Sequence, residues 1–423
     1  MILLSNGTFI DWQTLEFRQA DLLVEPGAAG VLTFHDPVQT AIPASRIDRT
    51  IDCTGRFITR SFANGHHHVY SALARGMPTP KKDPVNFQEI LRYVWWTLDK
   101  ALDPAMIRAS ALVTAIACAK RGVTFVVDHH ASPFAVGGSL EIIARAFDTV
   151  GLSHLLCYEI SDRDGMDIAA KGLAETAAYL DQRQGLVGLH ASFTVGDQTL
   201  KHAVDLAAQT HSGIHIHVAE DQSDENHCEK NYNTRIIGRL ADAGVLQFPA
   251  TILAHCLHLD DHERGLVEGS PAWVVQNMES NLNNRVGFFN SKGLGTRIML
   301  GTDGMHSDMI RSARSAFFAG HNFDTMQYPT AYQRLRNVHH YLQSNHFTGD
   351  SDNNLVVFDY DTPTPFNEDN FYGHFLFGLE SRHITHVIAQ GRLIVDEGNV
   401  VTVDEKEVLQ EAREQAERLW KLL

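Results

Sequence analysis

Between about residues 58 and 349, short apolar runs alternate with longer helical stretches eight times over. The runs are 57–64 (FITRSFAN), 123–128, 153–160, 186–193, 213–220, 250–259, 272–279 and 297–304. Most are continuously apolar, as strands buried on both faces are. Strand–helix alternation builds right-handed βαβ units on a parallel sheet. Eight such units predict an α/β fold, a (β/α)8 TIM-type barrel over 58–349. Both chain ends are β-rich instead, with MILLSNGTFI, ADLLVEP and RTIDCTGRFI before the barrel and NLVVFDYD, HVIAQGRLIV and GNVVTV after it. AQGR and DEGN read as tight turns. Residues 1–57 and 350–423 are therefore expected to form a small composite β-sandwich. It ends in an amphipathic helix over 404–423, capped by Asp404, with Val408, Ala412, Ala416, Leu419 and Trp420 on its packed face.

Charge and composition remove several classes of partner. With 35 Lys+Arg against 51 Asp+Glu, the 423-residue chain carries −16, which disfavours nucleic acid and anionic membrane, both polyanions. No apolar run approaches the roughly 18 residues of a membrane helix, and MILLSNGTFIDWQ lacks the basic and long apolar regions of a secretory leader. The 5 cysteines are scattered without a CxxC, which fits a reducing, cytoplasmic setting rather than a disulfide framework. The 24 histidines stand out, because imidazole is the commonest metal ligand and the usual neutral-pH acid or base.

Those histidines fall where the strands end, and that is where such barrels place their chemistry. The first strand ends in Gly65-His66-His67-His68 and the second in Asp128-His129-His130. The fourth carries His190, the fifth His215 and His217 followed by Glu220, the sixth His255 and His258, and the eighth Thr302-Asp303. Side chains two apart share a strand face, so His66 and His68 can bind one ion while His67 faces the other way. His217 adds a third nitrogen and Asp303 an oxygen, a donor set that suits Zn²⁺ and also Fe²⁺. Glu220, just past the strand, can shuttle a proton, and His255 can hold a hydroxide or a developing charge. Each has a plainer alternative: a polar loop for the histidine triplet, a helix cap for Asp303, a surface salt bridge for Glu220 and a satisfied core position for His255. His154, His215 and His258 are read as core histidines. Aromatic residues after the first strand (Tyr70, Phe87, Tyr93, Trp95, Trp96) can stack on a planar ring or simply pack a helix. Arg163 can hold a substrate carbonyl or carboxylate or form a turn salt bridge, and His129 is a further candidate for substrate contact.

Taken together, these motifs resemble the amidohydrolase superfamily, in its deaminase and chlorohydrolase branch. The resemblance is carried by HxH at 66–68, HVAE at 217–220, AHC at 254–256, SNL at 280–282 and LGTD at 300–303. HHHVYSALARGMP, DHHASP, SDRDG, HASFT and SDMIRSA look closest to SsnA-type aminohydrolases. The resemblance implies His66, His68, His217 and Asp303 as ligands of one divalent metal, Zn or Fe. It implies Glu220, His255 and Asp303 as catalytic groups and His190 as a pocket histidine. Arg163, Trp96 and His129 complete the candidate substrate contacts. The implied reaction is hydrolytic deamination of a planar aminated heterocycle, with ammonia released. A triazine-type chlorohydrolase or cyclic amide hydrolase is the alternative within the class, and a catalytically dead binding barrel the alternative outside it. A small heterocycle is the expected partner, and a homo-oligomer the implied assembly. The run LVGLHASF has no lysine to bridge two ions, the nearest downstream being Lys201, so one ion is expected. Two stretches depart from the family pattern. Arg60-Ser61 stands where Pro-Gly is usual, and SNHFTGDSDN replaces a Gly-rich segment before NLVVFD.

Overall fold

The computed structural model describes residues 1–35 and 44–423. Residues 36–43, within the N-terminal part of the expected β-sandwich, lie outside the described residues. Eight strands run in parallel: Phe62–His67, Val123–His130, Ser153–Tyr158, Val187–Ala191, Ile214–Val218, Ile252–His255, Trp273–Gln276 and Ile298–Leu300. The first three form one arc and the last five another. Isolated parallel bridges join the arcs at both seams, Leu156–Gly185 and Ile160–Leu189 at one and His67–Asp303 at the other. The ring is a (β/α)8 barrel.

Alternate residues fill its lumen. Phe125, Val127, Leu155, Cys157, Ile252, Val275 and Met299 pack together, closed from below by Tyr341 and Leu342 of the helix Tyr328–Ser344. The next inward positions on the second and third strands are His129 and Glu159, so both enter the lumen above that apolar floor. The first strand breaks its alternation. Asn64 pairs with Val126 but His67 pairs with Asp128, so three steps oppose two. Ala63 faces the lumen. Strict alternation from Ala63 would turn Gly65 and His67 inward. The extra residue of this bulge shifts the phase and aims His66 and His68 inward instead.

The two chain ends share one nine-stranded sheet. Phe57–Arg60 pairs in parallel with Ile2–Ile10 and antiparallel with Leu355–Phe358. The apolar run 57–64 is thus two strands, the first in the end sheet and the second in the barrel. Ser61 divides them, its Oγ 2.6 Å from Thr124 Oγ1, while Arg336 donates to the carbonyls of Arg60 and Ser61. The expected tight turns are two-residue hairpins at Gln390-Gly391 and Glu397-Gly398, with φ positive at all four residues, as type I′ requires. Arg60 is almost wholly buried. Its Nη2 lies 3.1 Å from Asp350, which in turn faces His339 Nδ1 at 2.9 Å. The final helix, Glu405–Trp420, starts where Asp404 accepts from Lys406 and Glu407 N–H, and Trp420 Nε1 donates to Leu73 O at 2.8 Å. Among the described residues no single helix is long and apolar enough to cross a membrane.

Candidate active site

At the C-terminal mouth of the barrel, imidazoles from three strands point their Nε2 atoms at one another. His68 Nδ1 donates to His129 O at 2.6 Å and His217 Nδ1 to His190 O at 2.9 Å. Each outward bond fixes a tautomer and leaves the Nε2 lone pair facing inward. Those two Nε2 atoms are 3.1 Å apart. Two lone pairs at that separation repel unless a proton or a cation lies between them. His66 Nδ1 is tied to His215 Nε2 at 2.8 Å, and its buried Nε2 has no hydrogen-bond partner. Asp303 Oδ1 lies 3.0 Å from His68 Nε2 and 3.5 Å from His66 Nε2. Burial lowers the His66 pKa to about 3 and holds that of His217 far down, so both are neutral donors. Burial also pulls on His68, but the hydrogen bond and charge of Asp303 outweigh it and raise its pKa to about 9. The geometry and chemistry of these four side chains fit a divalent cation.

His255 and Glu220 complete the cluster. His66, His217, His255 and Asp303 bring their donor atoms within 4.8 Å of one another. His255 Nε2 is 3.5 Å from Glu220 Oε2 and 3.8 Å from Asp303 Oδ2. Burial, reinforced by the nearby Asp303 charge, pushes the Glu220 pKa well above the ordinary carboxylate range. Asp303 is held low despite burial, because the His66 and His68 rings stand beside it at 3.5 and 3.0 Å and favour its charged form. Backbone geometry serves the same placement. Ala219, His255 and Asp303 have φ of 45°, 75° and 52°, the left-handed region that non-glycine residues avoid. Such turns collect at functional sites.

Three residues of the SNLNN segment, Ser280, Asn281 and Asn284, brace these groups. Ser280 Oγ donates to Asp303 Oδ2 at 2.6 Å, Asn281 bonds His255 Nδ1 at 2.7 Å and Asn284 Nδ2 donates to Glu220 Oε1 at 3.2 Å. The motif was visible in the sequence, but its three roles depend on helical spacing after the seventh strand. Glu159 is a second omission. It stands next to last in the run SHLLCYEI, so the rule that singled out His190 and Glu220 applied to it equally. His67 turns away from the cluster as expected, its Nδ1 2.6 Å from Asp303 O. Among the expected core histidines, His215 sits behind His66, and His258 Nε2 donates to Val286 O at 2.6 Å.

A cavity opens above the cluster, lined by Tyr70, Phe87, Trp95, Trp96, Glu159 and His190 among others. The segment Leu91–Trp95 is a single π-helical turn, whose extra residue lets both tryptophans reach the cavity. Tyr93 does not line it, because its hydroxyl is engaged by Lys82 at 2.7 Å. Two expected substrate contacts also stand apart. Arg163 is drawn off by the carboxylates of Asp99 and Asp164, lies over the ring of Trp96 and does not line the cavity. His129 is fully buried behind His68, its Nε2 between the carbonyls of Leu189 and His215 and its Nδ1 3.2 Å from Glu159.

Comparison with known proteins agrees with this architecture. A 5-methylthioadenosine/S-adenosylhomocysteine deaminase of Syntrophomonas wolfei is 26% identical over 400 residues, covering 89% of this chain and 90% of that protein. An adenosine deaminase of Xanthomonas campestris, solved with bound zinc, superposes with a TM-score of 0.83 at 18% identity, over 99% of this chain and 98% of the other. An atrazine chlorohydrolase of Arthrobacter aurescens, also complexed with zinc, does so at 0.78 and 14% identity, over 98% of this chain and 100% of the other. These two solved structures speak to the fold. Residues 57–346, the barrel together with the end-sheet strand that leads into it, match the profile of the Amidohydrolase family, and the chain belongs to that family.

Proposed function

We propose that this chain hydrolyses the C–N bond of an exocyclic amino group on a planar N-heterocycle and releases ammonia. It is a hydrolase of C–N bonds other than peptide bonds. The observation that carries the reading is the inward-facing set of His66, His68, His217 and Asp303, with Glu220 and His255 beside it. Three nitrogens and one oxygen suit zinc, and a single ion is the better count. Lys201, which might have bridged two, lies instead on a helix surface and pairs with Asp205 at 2.6 Å. When bound, such an ion supplies the Lewis acidity that brings the pKa of water from about 15.7 to about 7.

The chain's own groups handle protons and position. Asp303, held ionised, can accept a proton from the attacking water. Glu220, held protonated by burial, can deliver its proton to a ring nitrogen and, once recharged by the proton of the newly added hydroxyl group, a second to the departing amine, while Asp303 returns its proton to complete the cycle. His255, steadied by Asn281, orients the nucleophile. Trp95, Trp96 and Tyr70 offer faces for the ring. The named deaminase relative supports an adenine-bearing substrate within this class. The test is a release assay on zinc-loaded protein over purines, pterins, pyrimidines and triazines, with ammonia and chloride read separately. Ammonia from an aminated ring is expected. Chloride without ammonia would make the chain a chlorohydrolase, and neither product would leave a cyclic amide hydrolase or a binding barrel.

A further inference from the structure

Glu159, Glu220, Asp221, Asp224 and Asp303 line the cavity, and among the described residues that line it there is no Lys or Arg. Four of these acids have an evident task. Glu220 and Asp303 belong to the reacting end. Asp221 caps the helix Gln222–Tyr232 by accepting from Ser223 N–H, and Asp224 accepts from Ala219 N–H at 3.2 Å. Glu159 is the one that serves neither the reacting end nor the backbone, and it braces His129 instead. It enters the lumen from the third strand, with Oε2 3.2 Å from His129 Nδ1 and Oε1 3.9 Å from His190 Nε2. Its side chain is only 3% exposed, and that small remainder faces the cavity. The cations behind this wall are spoken for. Arg163 is held by Asp99 and Asp164, and Lys100 by Asp164 at 2.7 Å. A buried carboxylate is little screened by salt, so its charge, offset in part by His129 beside it and Arg163 behind it, still reaches whatever enters.

We propose that the cavity takes heterocycles without anionic substituents, neutral or cationic, and that Glu159 enforces this choice by accepting an N–H or O–H of the substrate and repelling carboxylate or phosphate. The inference rests on the deaminase reading above and deepens it to a substrate class. An anionic substituent turned away from the metal end would meet Glu159 with no guanidinium or ammonium on the cavity wall to offset it, and juxtaposed like charges are a strong means of rejecting a wrong partner.

The test uses matched rings with and without an anion: adenosine and adenosine 5′-phosphate, pterin and pterin-6-carboxylate, cytosine and 5-carboxycytosine. Zinc-loaded enzyme is assayed for ammonia, with calorimetric affinities in parallel. For any ring that reacts, the uncharged member should lead by at least about tenfold in kcat/KM. Glu159→Gln, with wild-type zinc content and melting temperature, should narrow that lead by about tenfold. An anionic member that reacts as well as its neutral counterpart overturns the inference. So does a folded, zinc-loaded Glu159→Gln whose preference is unchanged. Should that variant fail to fold, the wild-type pairs decide. No ammonia from any ring would instead fail the deaminase reading, and the charge rule with it.

Discussion

At the scale of single residues, the site separates holding an ion from moving a proton. Glu220→Gln keeps the shape and the contact with Asn284 but cannot carry the proton. The variant is expected to retain zinc and substrate binding while kcat falls by about 10²–10⁴-fold, with KM little changed. Elemental analysis beside steady-state kinetics checks this, and loss of the ion from a folded variant would make Glu220 a ligand. A second expectation concerns pH. With its pKa near 9 in the ion-free protein, His68 is protonated at neutral pH and must release that proton to bind a cation. Zinc affinity should therefore rise by about tenfold per pH unit up to about pH 9 and then level off. Chelator competition across pH 6–10 measures the slope, and a flat profile would rule out proton displacement at His68. His66→Ala is expected to lose the ion, whereas His67→Ala, whose ring is turned to Asp303 O, should keep it.

At the scale of elements, what the sequence made legible follows burial. The eight barrel strands could be read because burial on both faces leaves continuous apolar runs, and polar residues at their ends stand out against that background. The bulge in the first strand could not be read, because it is a mismatch between two strands, Asn64–Val126 and His67–Asp128. Nor could the break at Ser61, since no Gly or Pro stands between Phe57–Arg60 and Phe62–His67 to mark it. Arg163 was misplaced for a related reason: its position after the third strand is evident, but Asp99, which turns it aside, lies 64 residues earlier. The bulge also has a steric condition. A Cβ on Gly65 would stand 2.8 Å from Leu300 O, a backbone atom of the eighth strand that cannot swing away. Gly65→Ala should open this seam, lower stability by about 1–3 kcal/mol and weaken zinc binding at His66 and His68 together. Thermal melts with metal analysis test it, and a variant of unchanged stability and zinc content would show that the strands can separate freely.

At the scale of the whole molecule, the two stretches that depart from the family pattern prove to be partners. Arg60, in place of the usual Pro, is buried against Asp350 of the segment GDSDN, and His339 closes the group from the helix beneath the barrel. Burial raises the Asp350 pKa, but His339 and Arg60 more than reverse this and hold it well below the ordinary range. A carboxyl depressed in the folded state stabilises the fold above its unfolded value near about 3.9, and the contribution is lost as pH falls through the folded value. Asp350→Asn should cost about 1–3 kcal/mol at pH 7, because it leaves Arg60 with only the solvent-exposed Asp352 and takes the charged acceptor from His339. Denaturant unfolding should find the gap to wild type narrowing only below about pH 4; a gap that widens on acidification would assign the stabilisation elsewhere. For anyone recombining this chain with its relatives, the pair acts as a lock between modules. A chimera that exchanges residues 1–60 but keeps the native 350–423, or the reverse, inherits half of an ion pair in a dry seam. Crossover points that carry Arg60 and Asp350 together should yield folded hybrids where those that separate them do not.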